Sequence, residues 1–332
     1  MININDFISI LVKQFGFKLR YVRKLKYMYI CNTDNGLKLL KPLNCPLENI
    51  IFVNNIKKHL IQKDFNKIDS YYLAENGLPY VLSDNTPYVL TDYLDYKELD
   101  LSNQDNVTAG IKNIANFHKL AQGYNINNNN TSVNTSINVC EAFEKKLSIL
   151  KQMKKKVSKQ KSLVDFEVLF IKNYEYFYKN AVEAIEIINK YNINSLDIKA
   201  SKNNMICHNK LKEDNILVNN HNIFLTNFED IGTRHYIYDL ASFINRYIRK
   251  QSSNCISMED IIRVYNKINY IDKKNLPILY ALIKFPDRYI DNCENFFQRK
   301  RNFTPICIIN QIENIVELKE FKEEYIKNIK KY

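Results

Sequence analysis

Within a mostly helical C-terminal half, the stretch from Met205 to Phe228 breaks into short apolar pieces, Ile216-Leu-Val218 and Ile223-Phe-Leu-Thr226, split by Asn219-Asn-His-Asn222. Two such runs around a short polar turn read as a β-hairpin. A polar, ionisable loop, Cys207-His-Asn-Lys-Leu-Lys-Glu-Asp-Asn215, leads into it, and Thr226-Asn-Phe-Glu-Asp230 leads out. A hairpin set among helices, with chemistry-bearing residues at both open ends, reads as part of an α+β fold.

The flanking segments are long and uninterrupted. Val139 to Lys156 and Leu163 to Asn189 contain neither glycine nor proline and repeat apolar residues at helical spacing, which predicts a helical hairpin inserted over about 139–190. An amphipathic helix is expected from Val107 to Leu120, ending near Gly123 and followed by an Asn/Ser/Thr-rich mobile surface loop over 125–138. Helices resume from Asp239 to the end.

The N-terminal part has the opposite character. Tyr27-Met-Tyr-Ile-Cys31 and Leu37 to Leu40 flank Asn32-Thr-Asp-Asn-Gly36, a hairpin signal. After Pro46, apolar residues at 47, 50, 51, 53, 56 and 60 predict one helix, and further strands are expected at Tyr71-Tyr-Leu, Pro79-Tyr-Val-Leu82 and Tyr88-Val-Leu-Thr91. No internal repeat is present, which excludes solenoids and propellers.

Composition narrows the function classes. With 45% hydrophobic residues, 332 residues can fill a sizeable core. The chain is expected to be soluble and unsecreted, since its opening residues lack a basic segment followed by an apolar run and no stretch is long and apolar enough to span a bilayer. Seven scattered cysteines without a Cys-x-x-Cys pair argue against a zinc site or a disulfide framework. The net charge of +12 is compatible with anionic partners but carries no recognisable nucleic-acid-binding motif. Much of it lies in Lys145-Lys146, Lys151, Lys154-Lys155-Lys156, Lys159 and Lys161, which read as a solvated helix face.

The loop at His208, the segment at Asn227 and Tyr238-Asp-Leu-Ala241 resemble in layout the catalytic half of aminoglycoside phosphotransferases and choline kinases. Four ordered stretches sharpen the likeness to the CotS-type spore coat proteins, a branch of that superfamily. They are Tyr88-Val-Leu-Thr-Asp-Tyr-Leu-Asp-Tyr-Lys-Glu-Leu-Asp100, Ala115-Asn-Phe-His-Lys-Leu-Ala-Gln-Gly123, the His208 loop and Phe285-Pro-Asp-Arg-Tyr289. The resemblance implies a two-lobed protein-kinase-like fold, with an antiparallel-sheet N-lobe over 1–92 and a helical C-lobe over 93–332 that carries the catalytic-loop-like hairpin at 205–230.

It also implies roles, position by position. His208 matches the loop histidine, Asn215 the metal-binding asparagine and Asp239 the aspartate opening the next helix, whereas Lys210 stands where the base aspartate is expected and Asn227 where the metal-chelating aspartate is expected. A charged lysine cannot accept a hydroxyl proton, and a neutral amide is a poor ligand for a hard cation. Glu229 and Asp230 are the acids near enough to compensate, with Asn215, Asn227 and Glu229 forming a degenerate metal set. Lys41 matches the strand lysine that pairs with nucleotide phosphates, and Asp92 and Leu94 fall on the nucleotide-binding hinge. The helix after Pro46 offers that lysine no glutamate partner beyond Glu48 at its start, and no glycine-rich loop precedes it.

Two readings of function follow from the resemblance. One is a non-catalytic spore coat or scaffold protein, made in the mother-cell cytoplasm, deposited in the coat and partnered by other coat proteins. The other is a divergent small-molecule phosphotransferase, which alone would require ATP and Mg²⁺.

Overall fold

The computed structural model describes residues 3–124, 138–219, 222–250, 255–298 and 305–331. They fall into two compact units, one of residues 1–100, 116–135 and 203–233, the other of 101–115, 136–202 and 234–332. Residues 203–233, which the sequence reading assigns to the helical part, thus cluster with the N-terminal sheet.

The first unit opens with a helix that the sequence reading does not anticipate, α1 (Ile4–Lys13), started by the Asn3 side chain accepting from the Asn5 amide at 3.1 Å. Its Ile8, Leu11 and Val12 lie one helical turn apart and bury against Cys31, Leu40, Val81 and Leu90 of the sheet. The sheet comprises β1 (Leu19–Leu25), β2 (Met28–Thr33), β3 (Gly36–Pro42), β4 (Val81–Ser83) and β5 (Thr86–Asp92), in the order β1-β2-β3-β5-β4 with every pairing antiparallel. Gly36, at φ 82°, closes the β2–β3 turn in a conformation that side chains disfavour. Asp84 and Asn85, with φ 47° and 62°, make the two-residue β4–β5 turn. Between β3 and β4 runs α2 (Leu47–Gln62), as the apolar spacing predicts.

Tyr71-Tyr-Leu, predicted as a strand, is not one. Its tie to the sheet is a bond from the Tyr72 amide to the Leu90 carbonyl at 2.9 Å, while its two rings pack on buried lysines. The neighbouring Ile68 instead bridges in parallel to Leu225.

The hairpin that the sequence singles out forms here. After β6 (Lys97–Glu98), β7 (Ile206–Cys207) precedes β8 (Ile216–Asn219) and β9 (Asn222–Leu225), whose register pairs Ile216 with Leu225 and Asn219 with Asn222. β6 extends this sheet along β8, and β7 pairs with β10 (Gly232–Thr233).

The second unit is helical. α3 (Gln104–Ala121) begins in it and ends in the first unit. α4 (Val139–Val157), α5 (Asp165–Lys190), α6 (Asn194–Lys202), α7 (Ile237–Arg249), α8 (Met258–Asn266), α9 (Leu276–Lys284), α10 (Asp287–Phe297), α11 (Pro305–Glu317) and α12 (Lys319–Lys327) complete it. Stacked rings lock the inserted α4–α5 hairpin to α10 and the end of α9, with Phe143 on Phe285, the residue after α9, at 3.6 Å, Phe166 on Phe296 at 3.7 Å and Phe177 on Tyr289 at 3.8 Å. Of the stretch 125–138, Asn138 caps α4; the remainder lies outside the described residues.

Leu40 has no exposed surface at the centre of the α1–sheet cluster. Leu40→Ala should lower stability by about 2–5 kcal/mol in urea unfolding, with the unchanged m-value of a cavity mutation.

Candidate functional site

Alternation along β3 turns Lys38 and Lys41 to opposite faces. Lys38 points towards the α1 side, where its ammonium takes the Tyr72 hydroxyl at 2.8 Å and the Asp92 carboxylate at 2.6 Å. Asp92, expected at a nucleotide site, is therefore committed to Lys38, on the face away from Lys41. Leu94 follows on the connector, half-buried.

Lys41, itself buried, meets the segment that leaves β9. Its ammonium donates to the Asn227 Oδ1 at 2.8 Å and pairs with the Glu229 carboxylate. Asn227 adopts the left-handed conformation, φ 61° and ψ 58°, which asparagine tolerates better than most residues. Its amide nitrogen donates to the Asn215 Oδ1 at 2.7 Å, and the Asn215 Nδ2 donates to the Lys210 carbonyl at 2.7 Å. The fully buried His208 bonds through Nε2 to the Thr226 carbonyl at 3.0 Å, tying the polar loop to the end of β9.

A second buried pair lies beneath the first. Lys57, on the inward face of α2, is 1% exposed and contacts the Asp69 carboxylate at 2.8 Å, with its ammonium 3.6 Å from the Tyr71 ring centroid. The other Asp69 oxygen accepts the backbone amide of Asn227 at 3.1 Å. Sequence reasoning missed both residues. The available signal was a lysine one turn after Val53 and just before Leu60 on an apolar helix face, because a buried ammonium requires a buried acid.

The Lys210 ammonium pairs with Asp230 at 2.9 Å, both side chains about half exposed, and Asn209 donates to the Asp230 carbonyl at 2.9 Å. An ion pair this wet contributes little to stability. Its hydrogen bond to Asp230 nonetheless raises the Lys210 pKa, in spite of partial burial, so the residue stays charged. Asp239 is buried in the first turn of α7, in the second unit.

The structure thus gathers Lys41, Asn215, Asn227 and Glu229 into one cluster and joins Lys210 to Asp230. These residues do not fit a divalent cation. The Asn215 and Asn227 carboxamides bond to each other, and Asn227 and Glu229 turn their oxygens on the Lys41 ammonium, so a side-chain cation already takes up the donors that Mg²⁺ would need. Burial works to raise the Glu229 pKa, but the Lys41 charge and hydrogen bond, with Lys57 behind them, hold it below the usual carboxylate value.

Two predictions follow from these pairs. A carboxylate whose folded pKa is depressed stabilises the fold fully above its unfolded pKa of about 4.3 and loses that contribution as pH falls through the folded value. Glu229→Gln should therefore flatten the acid limb of stability against pH, measured by urea unfolding. Lys57→Met should cost about 3–5 kcal/mol by leaving Asp69 buried and unpaired, and adding Asp69→Leu should recover part of that loss in the same assay.

Comparison with known proteins adds an identity to this geometry. The family model described as "Spore coat putative kinase YutH" matches residues 8–329. Among solved structures, an aminoglycoside phosphotransferase from Alicyclobacillus acidocaldarius is similar with a TM-score of 0.87 at 13% identity, over 97% of this chain and 95% of that one. Spectinomycin phosphotransferase APH(9)-Ia, in complex with ADP and spectinomycin, gives 0.64 at 12% identity over 100% of both chains. The amicoumacin kinase hAmiN gives 0.56 at 11% identity, over 97% of this chain and 92% of that one. Comparison with curated proteins gives no match. The sheet-based N-terminal part and helical remainder are those of a kinase-like fold, and the chain belongs to the YutH family of CotS-type spore coat proteins.

Proposed function

We propose that this chain is a pseudokinase, a spore coat protein that uses a phosphotransferase fold for binding or scaffolding rather than for phosphoryl transfer. The observation that carries the reading is the closure of the Lys41 ammonium on Glu229 and Asn227. A lysine held this way gives its charge to the protein's own acid instead of to a phosphate, and the acid gives its charge to the lysine instead of to a metal.

The substitution at Lys210 supports the same conclusion. Where the family resemblance expects a base, the chain carries a cation paired with Asp230, and a charged ammonium has no lone pair for a hydroxyl proton. A positioned base is worth about 10²–10⁴-fold in rate, and the lost metal ligand compounds that deficit. Family membership supports association with other coat proteins, with synthesis in the mother cell before deposition.

One observation favours the alternative of a divergent phosphotransferase. Glu229 sits in the same cluster as Asn215 and Asn227, so release of Lys41 to a nucleotide would return one carboxylate to a metal site. ATP and Mg²⁺ would then be the cofactors.

Purified protein should show no Mg²⁺-dependent consumption of ATP above background with aminoglycoside, choline or amicoumacin-type acceptors. Turnover that disappears in Glu229→Gln/Asp230→Asn would overturn the pseudokinase reading. As a positive counterpart, Lys210→Asp with Asn227→Asp should increase Mg²⁺-dependent nucleotide affinity by at least about tenfold, read by calorimetry.

A further inference from the structure

The second unit carries a feature that phosphoryl transfer does not use. From Lys145 to Val164 the sequence holds eight lysines and no acidic residue. Six of them, Lys151, Lys154, Lys155, Lys156, Lys159 and Lys161, lie on the last turns of α4 and the connection to α5. Among the described residues none of these six has a carboxylate partner, whereas Lys146, nearer the start of α4, is paired with Asp287 and with Asp291 at 2.6 Å.

The patch is held in place from below. The ammonium of Lys151 lies 5.6 Å from the Tyr178 ring centroid, that of Lys154 5.0 Å from Tyr174 and that of Lys156 5.5 Å from Phe297. Cation–π contacts orient these groups without neutralising them. The rings belong to α5 and α10, which the Phe166–Phe296 stack fixes under the tip.

At the same tip the chain exposes aliphatic side chains. Leu163, Val164 and Val168 are 42%, 56% and 52% exposed, and the lysines at 159 and 161 immediately precede them. Charge alone would suit any polyanion, but aliphatic side chains gain nothing from a phosphodiester backbone. Lysines ringing a small exposed aliphatic group match the interface of an anionic bilayer, where ammonium groups meet lipid phosphates and short apolar side chains enter the headgroup–acyl boundary. No described helix is long and apolar enough to cross a membrane, so the contact is peripheral. The first turn of α5 carries two acids, Asp165 and Glu167, against six lysines, and Glu167 is committed to the Val164 backbone amide at 3.1 Å.

We propose that the α4–α5 tip is a docking surface for an anionic lipid membrane, built from Lys155, Lys159 and Lys161 beside Leu163 and Val164. This inference is independent of whether the Lys41 site is catalytic.

The test is co-sedimentation of the full chain with vesicles of phosphatidylcholine alone or mixed with phosphatidylglycerol. The chain should bind the mixed vesicles and not the neutral ones, and added salt should weaken the binding because exposed charges are screened. Each lysine near such a surface is worth about fivefold in affinity, so Lys155→Glu/Lys159→Glu/Lys161→Glu should weaken binding by more than about a hundredfold. Leu163→Ser/Val164→Ser should weaken it about tenfold while circular dichroism and the urea midpoint stay as in the unaltered chain. Equal binding to neutral vesicles, or no binding to mixed ones, would overturn the proposal. So would a serine pair that binds as tightly as the unaltered chain while a DNA duplex competes fully, a result that would assign the patch to a polyanion.

Discussion

The Lys41 ammonium is the point on which the candidate site turns. It is buried, so it must be neutralised by groups the fold brings to it, and those groups come from the segment that leaves the end of β9. Once Glu229 and Asn227 fill that role, Asn227 bonds to Asn215, Asn215 bonds to the Lys210 backbone, and His208 fastens the loop to Thr226. The Lys57–Asp69 pair does for the backbone what Lys41 does for the side chains, since Asp69 also holds the Asn227 amide. Three lysines face three acids, and the set is neutral without a bound cation. In kinases a glutamate on a helix holds the strand lysine and a separate aspartate holds the metal. Here the strand lysine is held by Glu229, from the segment where the resemblance expects the metal ligand.

How much of this was legible in the sequence depends on how local each interaction is. The β2–β3 hairpin, α2 and the β8–β9 hairpin follow from turn residues and apolar spacing within a few positions, and their registers match those signals. The motif at His208, Asn215 and Asn227 was legible by resemblance, and its two substitutions were visible as residue types. The pairing of Lys41 with Glu229 spans 188 positions and could be inferred only as a gap, since α2 supplies no acid to Lys41. Asp69 escaped because it lies on the irregular segment after α2, where no periodicity says which way a residue faces, whereas Lys57 carried its signal in the apolar face of α2.

The two N-terminal elements failed for different reasons. α1 has a clear signal, with an Asn cap and apolar residues a turn apart, but a short opening segment is easily read only for targeting features. β1 is an edge strand whose Arg20, Arg23 and Lys24 face solvent, so it lacks the strong apolar alternation that marks a half-buried strand. Lysine and arginine suit an exposed edge that must not recruit a second sheet. Tyr71-Tyr-Leu erred the other way, since its aromatic residues imitate a strand while serving as ring platforms for Lys38 and Lys57.

The account stands on one claim, that Lys41 and Glu229 satisfy each other and leave no room for a metal-bridged nucleotide. Calorimetric titration of the unaltered chain with ATP, with and without Mg²⁺, tests it most directly. The account predicts no heat of binding, or a weak affinity that Mg²⁺ leaves unchanged. Tight binding that appears only with Mg²⁺ would contradict it, by showing that the ion pair opens to admit a phosphate and a cation.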